Sequence, residues 1–421
     1  IFLLAPLFAV AAAVPPATAA AHAPAQTGVQ GFSTQRLQRL DRFLREATDA
    51  HGYLGAVALV ARHGEVVELR AFGHRDLARA EPMTTDAIFR IYSMSKTVTS
   101  VAALILMEEG RLALDDPIAN YLPEFSAMQV LAGGSADAPQ LSPATRPITI
   151  RQLLTHTAGF ATGAAGEEVA TQLLERADPH AAADLHGYAA RLARVPLAAQ
   201  PGTRFRYDGV QIEVLSRLIE VVARMPFDAF LQQRIFEPLR MRDTGFMVPP
   251  DQRGRIADIS AMDAQGHLVL AEGPSAAHPG ERLNAYSSGA GGLYSTAGDY
   301  LRFCQMLLDG GTLDGASILG RKSVDLMMQN QLTQFDPPVT SFSEAEGFGL
   351  GGSVVLDVAR RGRLGSPGAF GWSGAASTYY TIDRQEQLVA ILLLQHLPHE
   401  GRKDLPKLSV PFYNLVYQAL Q

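Results

Sequence analysis

Ser93 and Lys96 stand three residues apart in Ser93-Met94-Ser95-Lys96, where a strand-like run, Ala87-Ile88-Phe89-Arg90-Ile91, gives way to a helical one from Thr97 to Glu109. A serine hydroxyl is a weak nucleophile until a base within hydrogen-bond reach takes its proton. Residues three apart on a helix share a face, so the Lys96 amine is predicted to face the Ser93 hydroxyl. The start of a helix also offers free N–H groups and the positive end of the dipole to a developing oxyanion. This pattern favours acyl transfer through a covalent serine intermediate. An ordinary helix cap would also place a serine here, and the chain has few lysines, namely Lys96, Lys322, Lys403 and Lys407.

Other segments could complete such a site. In Pro201-Gly202-Thr203-Arg204-Phe205-Arg206-Tyr207 a tyrosine ends a loop before a helix. A phenol can donate or accept, so Tyr207 could relay the serine proton or simply pack at the junction. Phe370-Gly371-Trp372-Ser373-Gly374-Ala375 precedes a strand-like run and holds the single tryptophan. Its glycines permit close backbone approach, and a backbone N–H there could complete an oxyanion hole. Trp372 could equally be a core aromatic in a tight turn. Ser287-Ser288-Gly289-Ala290-Gly291-Gly292 looks phosphate-friendly but lacks the preceding strand and following acid of a nucleotide fingerprint. His396-Leu397-Pro398-His399 has no third metal ligand in sequence. No G-x-S-x-G elbow and no H-E-x-x-H is present.

The elements that must position these residues are legible in outline. Arg36 to Ala50 has helical periodicity. Leu54 to Ala61 and Val66 to Phe72, joined by Arg62-His63-Gly64-Glu65, read as a β-hairpin. Residues 115–284 are mostly helical and loop signals, including helices over Val210 to Ala223 and Phe227 to Phe236, with Met128 to Pro147 as a surface insertion. Strand signals return at Phe348 to Leu356, Ala376 to Ile382 and Gln387 to Leu394, before a helix over Val410 to Ala419. Strands at both ends with helices between predict one sheet built from both termini. That gives an α/β part over 33–114 and 285–421 and a helical part over 115–284.

The 421 residues are 47% hydrophobic and 19% charged, enough for a large core. A net charge of −6 gives no basic footprint for nucleic acid. Cys304 is the single cysteine, so no internal disulfide and no cysteine-based metal site is available. Ile1 to Val14 is almost wholly apolar and is followed by Pro15, Pro16 and small residues. This reads as the core and cleavage region of an export signal over 1–23, with a linker over 24–32, and predicts a secreted or periplasmic protein. The run is too short for a comfortable bilayer span.

Taken together, several segments resemble the serine β-lactamase/penicillin-binding-protein superfamily, and within it the class C-like hydrolases known as family VIII carboxylesterases. The resemblance runs from Gly31 to the C-terminus. It rests on Phe89-Arg90-Ile91-Tyr92-Ser93-Met94-Ser95-Lys96, Leu114-Asp115-Asp116-Pro117-Ile118, Leu153-Leu154-Thr155-His156-Thr157-Ala158-Gly159, Pro201-Gly202-Thr203 before Tyr207, Pro238-Leu239-Arg240-Met241 with Thr244-Gly245-Phe246, and Gly291-Gly292-Leu293-Tyr294-Ser295-Thr296, in that order. It implies an antiparallel sheet flanked by helices, a mostly helical region beside it, and a site in the cleft between. It implies Ser93 as the acylated nucleophile, Lys96 and Tyr207 sharing the general-base work, and N–H groups of Ser93 and Ala375 as the oxyanion hole. Trp372, Ser373, Gly374 and Asp208 would border the substrate, a small-molecule ester or amide. No cofactor is implied, and His156 is given no catalytic role.

Two departures bear on substrate. The family's Tyr-x-Asn is here Tyr207-Asp208-Gly209, so the amide that would hold a substrate carbonyl is missing. Asp208 is expected either to face Lys96, where it would favour the ammonium, or to point into solvent. The family's Lys-Thr-Gly is here Trp372-Ser373-Gly374, which replaces a carboxylate-attracting cation by an uncharged indole. Esters neutral near the reacting bond therefore fit better than β-lactams or D-Ala-D-Ala peptides, both of which carry a carboxylate there.

Overall fold

The structure is a computed structural model describing residues 29–49, 52–163, 166–399 and 403–421. The expected export signal lies outside the described residues. At the end of the expected linker, Phe32 is fully buried and bridges to Leu420, which ties the start of the fold to its end.

Seven antiparallel strands form the main sheet: β1 (Gly55–Arg62), β2 (Glu65–Gly73), β3 (Glu346–Phe348), β4 (Ser353–Val355), β5 (Phe370–Gly374), β6 (Thr378–Asp383) and β7 (Leu388–Leu393). Their order is β3-β4-β5-β6-β7-β1-β2, so β7 from the end of the chain pairs with β1 from its beginning, Val57 opposite Leu393. This is the sheet expected from both termini. Two segments differ in detail from expectation. The run from Phe348 to Leu356 is a hairpin, β3–β4, folded at glycines 349, 351 and 352. The Trp372 segment is itself a strand, because its glycines let it pair tightly with β6 through Trp372 opposite Tyr380.

Helices cover both faces, which is why β7 reads as a continuous apolar run with no alternation. On one face α1 (Thr34–Ala47) and the C-terminal helix α5 (Ser409–Tyr417) pack Leu40, Leu44, Phe412 and Val416 against Ala58, Val60, Ala390 and Leu392. On the other, α2 (Ser95–Glu108) and α4 (Ala297–Leu308) pack Val98, Val101, Phe303 and Leu307 against Leu59, Ile391, Leu393 and Ile382. Helix α2 is buried on every side from Ser95 to Leu106. Its hydroxyls are therefore all partnered: Thr97 Oγ1 donates to Gly351 O (2.8 Å), Thr99 Oγ1 to Gly289 O (2.9 Å) and Ser100 Oγ to Lys96 O (2.9 Å). Each would cost roughly 1–3 kcal/mol if left unpaired.

In the chain between, helices are the main regular elements, among them α3 (Val210–Ala223), joined by long loops. The expected surface insertion contains a two-stranded ribbon, Gln129–Gly134 with Pro139–Pro143, and Val130 adds a parallel bridge to Leu197. Among the described residues no helix is long and apolar enough to cross a membrane.

Candidate active site

Ser93 lies in a single tight turn, Tyr92–Met94, that runs into α2. Tyr92 has φ 42°, the left-handed region that bulky residues avoid. The turn is held there by Ile91 N–H to Leu293 O (3.0 Å), Met94 N–H to Ile91 O (3.1 Å) and the Tyr300 hydroxyl to Met94 O (3.0 Å). Strain of this kind persists where surrounding structure over-determines it.

The predicted sharing of a face by Ser93 and Lys96 is realised. Lys96, only 4% exposed, donates from Nζ to Ser93 Oγ at 3.0 Å and to Ala290 O at 2.7 Å. Nζ also lies 5.0 Å from the centroid of the Tyr207 ring. The Tyr207 hydroxyl meets neither Ser93 nor Lys96 by a hydrogen bond; it accepts the Trp372 indole N–H at 2.8 Å. The two rings lie 4.8 Å apart, with Phe348 5.1 Å from Trp372. Trp372, expected to border the substrate, is thus in direct contact with Tyr207.

Strand β5 delivers the rest. A Cβ on Gly374 would fall 2.4 Å from Ile91 O, so only glycine lets this strand end approach the Ser93 turn so closely. Ala375 follows immediately, exposed, and its N–H has no acceptor among the described residues. Ser93 and Ala375 are therefore carried on two segments in contact, as an oxyanion pair requires. Ser373 alternates to the opposite side of the strand from Trp372 and lies across from Tyr379.

Asp208 does neither thing expected of it. Its Oδ1 accepts the Val210 N–H at 2.6 Å, capping the start of α3, and the carboxyl is half-buried. Free N–H groups at a helix start compete for a carboxylate with both lysine and water. Burial raises its pKa above the usual aspartate value, against the opposing pull of that N–H and of Lys96.

His156, expected to be structural, is fully buried with its ring centroid 4.6 Å from that of Tyr207. Its Nδ1 accepts the Asp208 N–H at 3.5 Å. Burial, reinforced by Lys96, pushes its pKa well below the usual value, so the ring is neutral.

Glu213 was not singled out from the sequence. It sits on the buried side of α3, 2% exposed, three residues after Val210, and a carboxyl at a core position was the available signal. It accepts a short hydrogen bond from Ser288 Oγ, while its Oε2 has no partner among the described residues. The phosphate-friendly segment 287–292 is thereby explained as a strap. Glu213 holds it at Ser288, Thr99 at Gly289, and Lys96 at Ala290. Burial pushes Glu213 up to about 7, with Ser288 and Lys96 opposing. The other histidine candidate, His396, is used elsewhere: Nε2 lies 2.8 Å from Asp404 Oδ1 and Nδ1 3.0 Å from Ser260 Oγ.

A serine on a strained turn at a helix start, with a buried lysine on its hydroxyl, suits a serine hydrolase on a β-lactamase-like fold. The chain belongs to the Beta-lactamase family, whose profile matches residues 40–409. It is similar to Protein Rv1367c of Mycobacterium tuberculosis (strain ATCC 25618 / H37Rv), 37% identical over 400 residues covering 90% of this chain and 97% of that one. It is similar to Esterase EstB of Burkholderia gladioli, 30% identical over 403 residues covering 90% and 94%. Among solved structures it matches "EstCE1, a hydrolase with promiscuous acyltransferase activity", at TM-score 0.73 and 26% identity over 92% of this chain and 98% of that one.

Proposed function

We propose that this enzyme cleaves carboxylic esters through an acyl-enzyme on Ser93. The observation that carries the reading is the Lys96 contact to Ser93 Oγ in a site where position 372 sets an uncharged indole, not a second cation, against Tyr207. Ser93 Oγ attacks the ester carbonyl and its proton passes to the Lys96–Tyr207 pair. The oxyanion is received by the N–H groups of Ser93 and Ala375. Collapse expels the alkoxide, which takes that proton. Water then attacks the acyl carbonyl, giving its proton to the same pair, and Ser93 leaves with a proton returned. The likeness to an enzyme named as an esterase supports the substrate class.

The alternatives on the same fold are a β-lactamase or D-amino-acid peptidase/amidase, and an acylated sensor that does not turn over. Trp372 and Gly209 weigh against the first, since neither supplies the cation or amide those substrates would use. Transfer of the acyl group to an alcohol or amine in place of water is favoured by one observation, the likeness to a hydrolase described as a promiscuous acyltransferase.

The test is hydrolysis of p-nitrophenyl butyrate and of a chromogenic cephalosporin by the wild-type protein and Ser93→Ala. Ester turnover abolished in the variant, with little cephalosporin turnover, supports the proposal. Efficient cephalosporin hydrolysis promotes the β-lactamase reading, a stoichiometric burst without turnover the sensor, and activity surviving in Ser93→Ala removes the mechanism. Export to the periplasm or medium is proposed from the N-terminal run, and cell fractionation tests it.

A further inference from the structure

A groove of about 550 Å³ runs along β5 on the side away from α2, and it carries an excess of positive charge. Among the described residues, Arg361, Arg363 and Lys407 line it against a single carboxylate, Glu346. Both arginines turn to the same oxygen of that carboxylate: Arg361 Nε is 2.5 Å from Glu346 Oε1 and Arg363 Nη2 is 3.8 Å from it. One carboxylate cannot neutralise two guanidinium groups, and among the described residues Arg363 is otherwise stacked on the Tyr413 ring, 4.3 Å from its centroid. Ser353, Ser373 and Tyr379 also line the groove. This is a basic channel in a chain whose net charge is −6.

The groove is joined to the reaction site by shared residues. Ala375, the expected oxyanion donor, lines its end, and Trp372 borders it along the strand while its indole turns to Tyr207 on the other face. Phe342, 60% exposed, stands at the junction, its ring 5.8 Å from Tyr207 and 6.3 Å from Trp372. The arginines lie toward the Gly371 end of the strand, where β4 pairs Ser353 with Gly371. Gly371 is four residues before Ala375, roughly 13 Å of extended chain at ~3.3 Å per residue.

We propose that this groove is a subsite for the anionic tail of the substrate, so that the preferred esters are neutral at the reacting bond and carry a carboxylate several carbon atoms away. The inference rests on the esterase reading and deepens it. The cation lost beside Ser93 at Trp372 is replaced by cations farther along the same strand. That position suits a long-chain dicarboxylate half-ester and not a β-lactam, whose carboxylate lies next to the scissile bond.

The experiment compares matched pairs that differ only in charge: mono-p-nitrophenyl suberate with its methyl ester on the acyl side, and 8-acetoxyoctanoate with its methyl ester on the alcohol side. In at least one pair kcat/KM should favour the anion by about tenfold at low salt, with the preference falling as salt screens it. The anion-to-neutral ratio should collapse in Arg363→Gln/Lys407→Gln and be largely retained in Arg363→Lys. Equal or inverted preference in both pairs, or a preference that survives the double variant, overturns the proposal. Calorimetric binding of monomethyl suberate to Ser93→Ala reads the groove without turnover: saturable binding lost on adding the two substitutions supports it, and no binding overturns it. If neither neutral nor anionic esters are cleaved yet this binding is found, the failure lies with the esterase reading and not with the groove.

Discussion

The indole N–H of Trp372 donates to the hydroxyl oxygen of Tyr207 at 2.8 Å. Under the proposed mechanism, a donor aimed at that oxygen stabilises the negative charge left on it when Tyr207 gives up its own proton. It also helps hold the ring, which meets His156 and Phe342 by aromatic contacts and Lys96 by a cation contact. Trp372→Phe keeps the packing and removes the donor. A hydrogen bond to a group gaining charge is worth about 1.5–3 kcal/mol, so kcat for p-nitrophenyl butyrate should fall by roughly 10- to 100-fold, with KM changed little. Steady-state kinetics with a parallel thermal melt checks this, and a kcat within twofold of wild type would remove the role.

Gly374 is the position where β5 meets the serine turn, and an added Cβ would fall 2.4 Å from Ile91 O and 2.3 Å from Thr378 Oγ1. Gly374→Ala must push the strand end away from Ser93. Overpacking of this kind costs about 1–3 kcal/mol of stability. The displaced Ala375 N–H should cost activity more than stability, about 100-fold in kcat, the order seen when an oxyanion donor is lost. Denaturant melts and kcat measured on the same preparation separate the two effects.

Asp208 caps α3 through the Val210 N–H. Serine can make a similar capping bond and alanine cannot. Asp208→Ser should hold stability within about 1 kcal/mol of wild type, and Asp208→Ala should lose about 1 kcal/mol more. Since no ion pair joins the carboxylate to Lys96 and burial outweighs the lysine's pull on it, the pH–rate profile of Asp208→Ser should stay close to that of wild type. A displaced acidic limb would show that Asp208 acts on the lysine after all.

Glu213 ties stability to pH. Burial raises its pKa from the ordinary 4.5 to about 7 in the folded protein. Between those values the folded chain holds a proton that the unfolded chain releases, so stability falls as pH rises through that window and levels off above it. The span corresponds to about 3 kcal/mol. Glu213→Gln keeps an acceptor for Ser288 and removes the titration. Its stability relative to wild type should therefore improve between pH 5 and pH 8 by an amount of that order, read by urea unfolding at both values. A constant difference across that range would show that Glu213 is already ionised at pH 5.

Much of this protein was legible in the chain itself. The three-residue spacing of Ser93 and Lys96 fixes their common face, because helix geometry is local. The hairpin β1–β2 and helix α3 follow from apolar periodicity and turn residues within a few positions of each other. The pairing of early and late strands was legible as well, since fully apolar strands at both ends have nowhere to go but one covered sheet.

What the tertiary structure decided was every relationship between groups distant in sequence and free to choose among partners. Asp208 had three possible partners, Lys96, water and a helix end, and folding placed the Val210 N–H within 2.6 Å. Trp372 and Tyr207 are 165 residues apart, and only the docking of β5 against the loop before α3 makes one the hydrogen-bond donor of the other. Glu213 was hidden because periodicity marks a face as buried but does not reveal the Ser288 hydroxyl that meets the carboxyl there. The basic groove is of the same kind: Arg363 and Lys407 come from two segments that the sheet brings to one side of β5, and their charge is local in space but not in sequence.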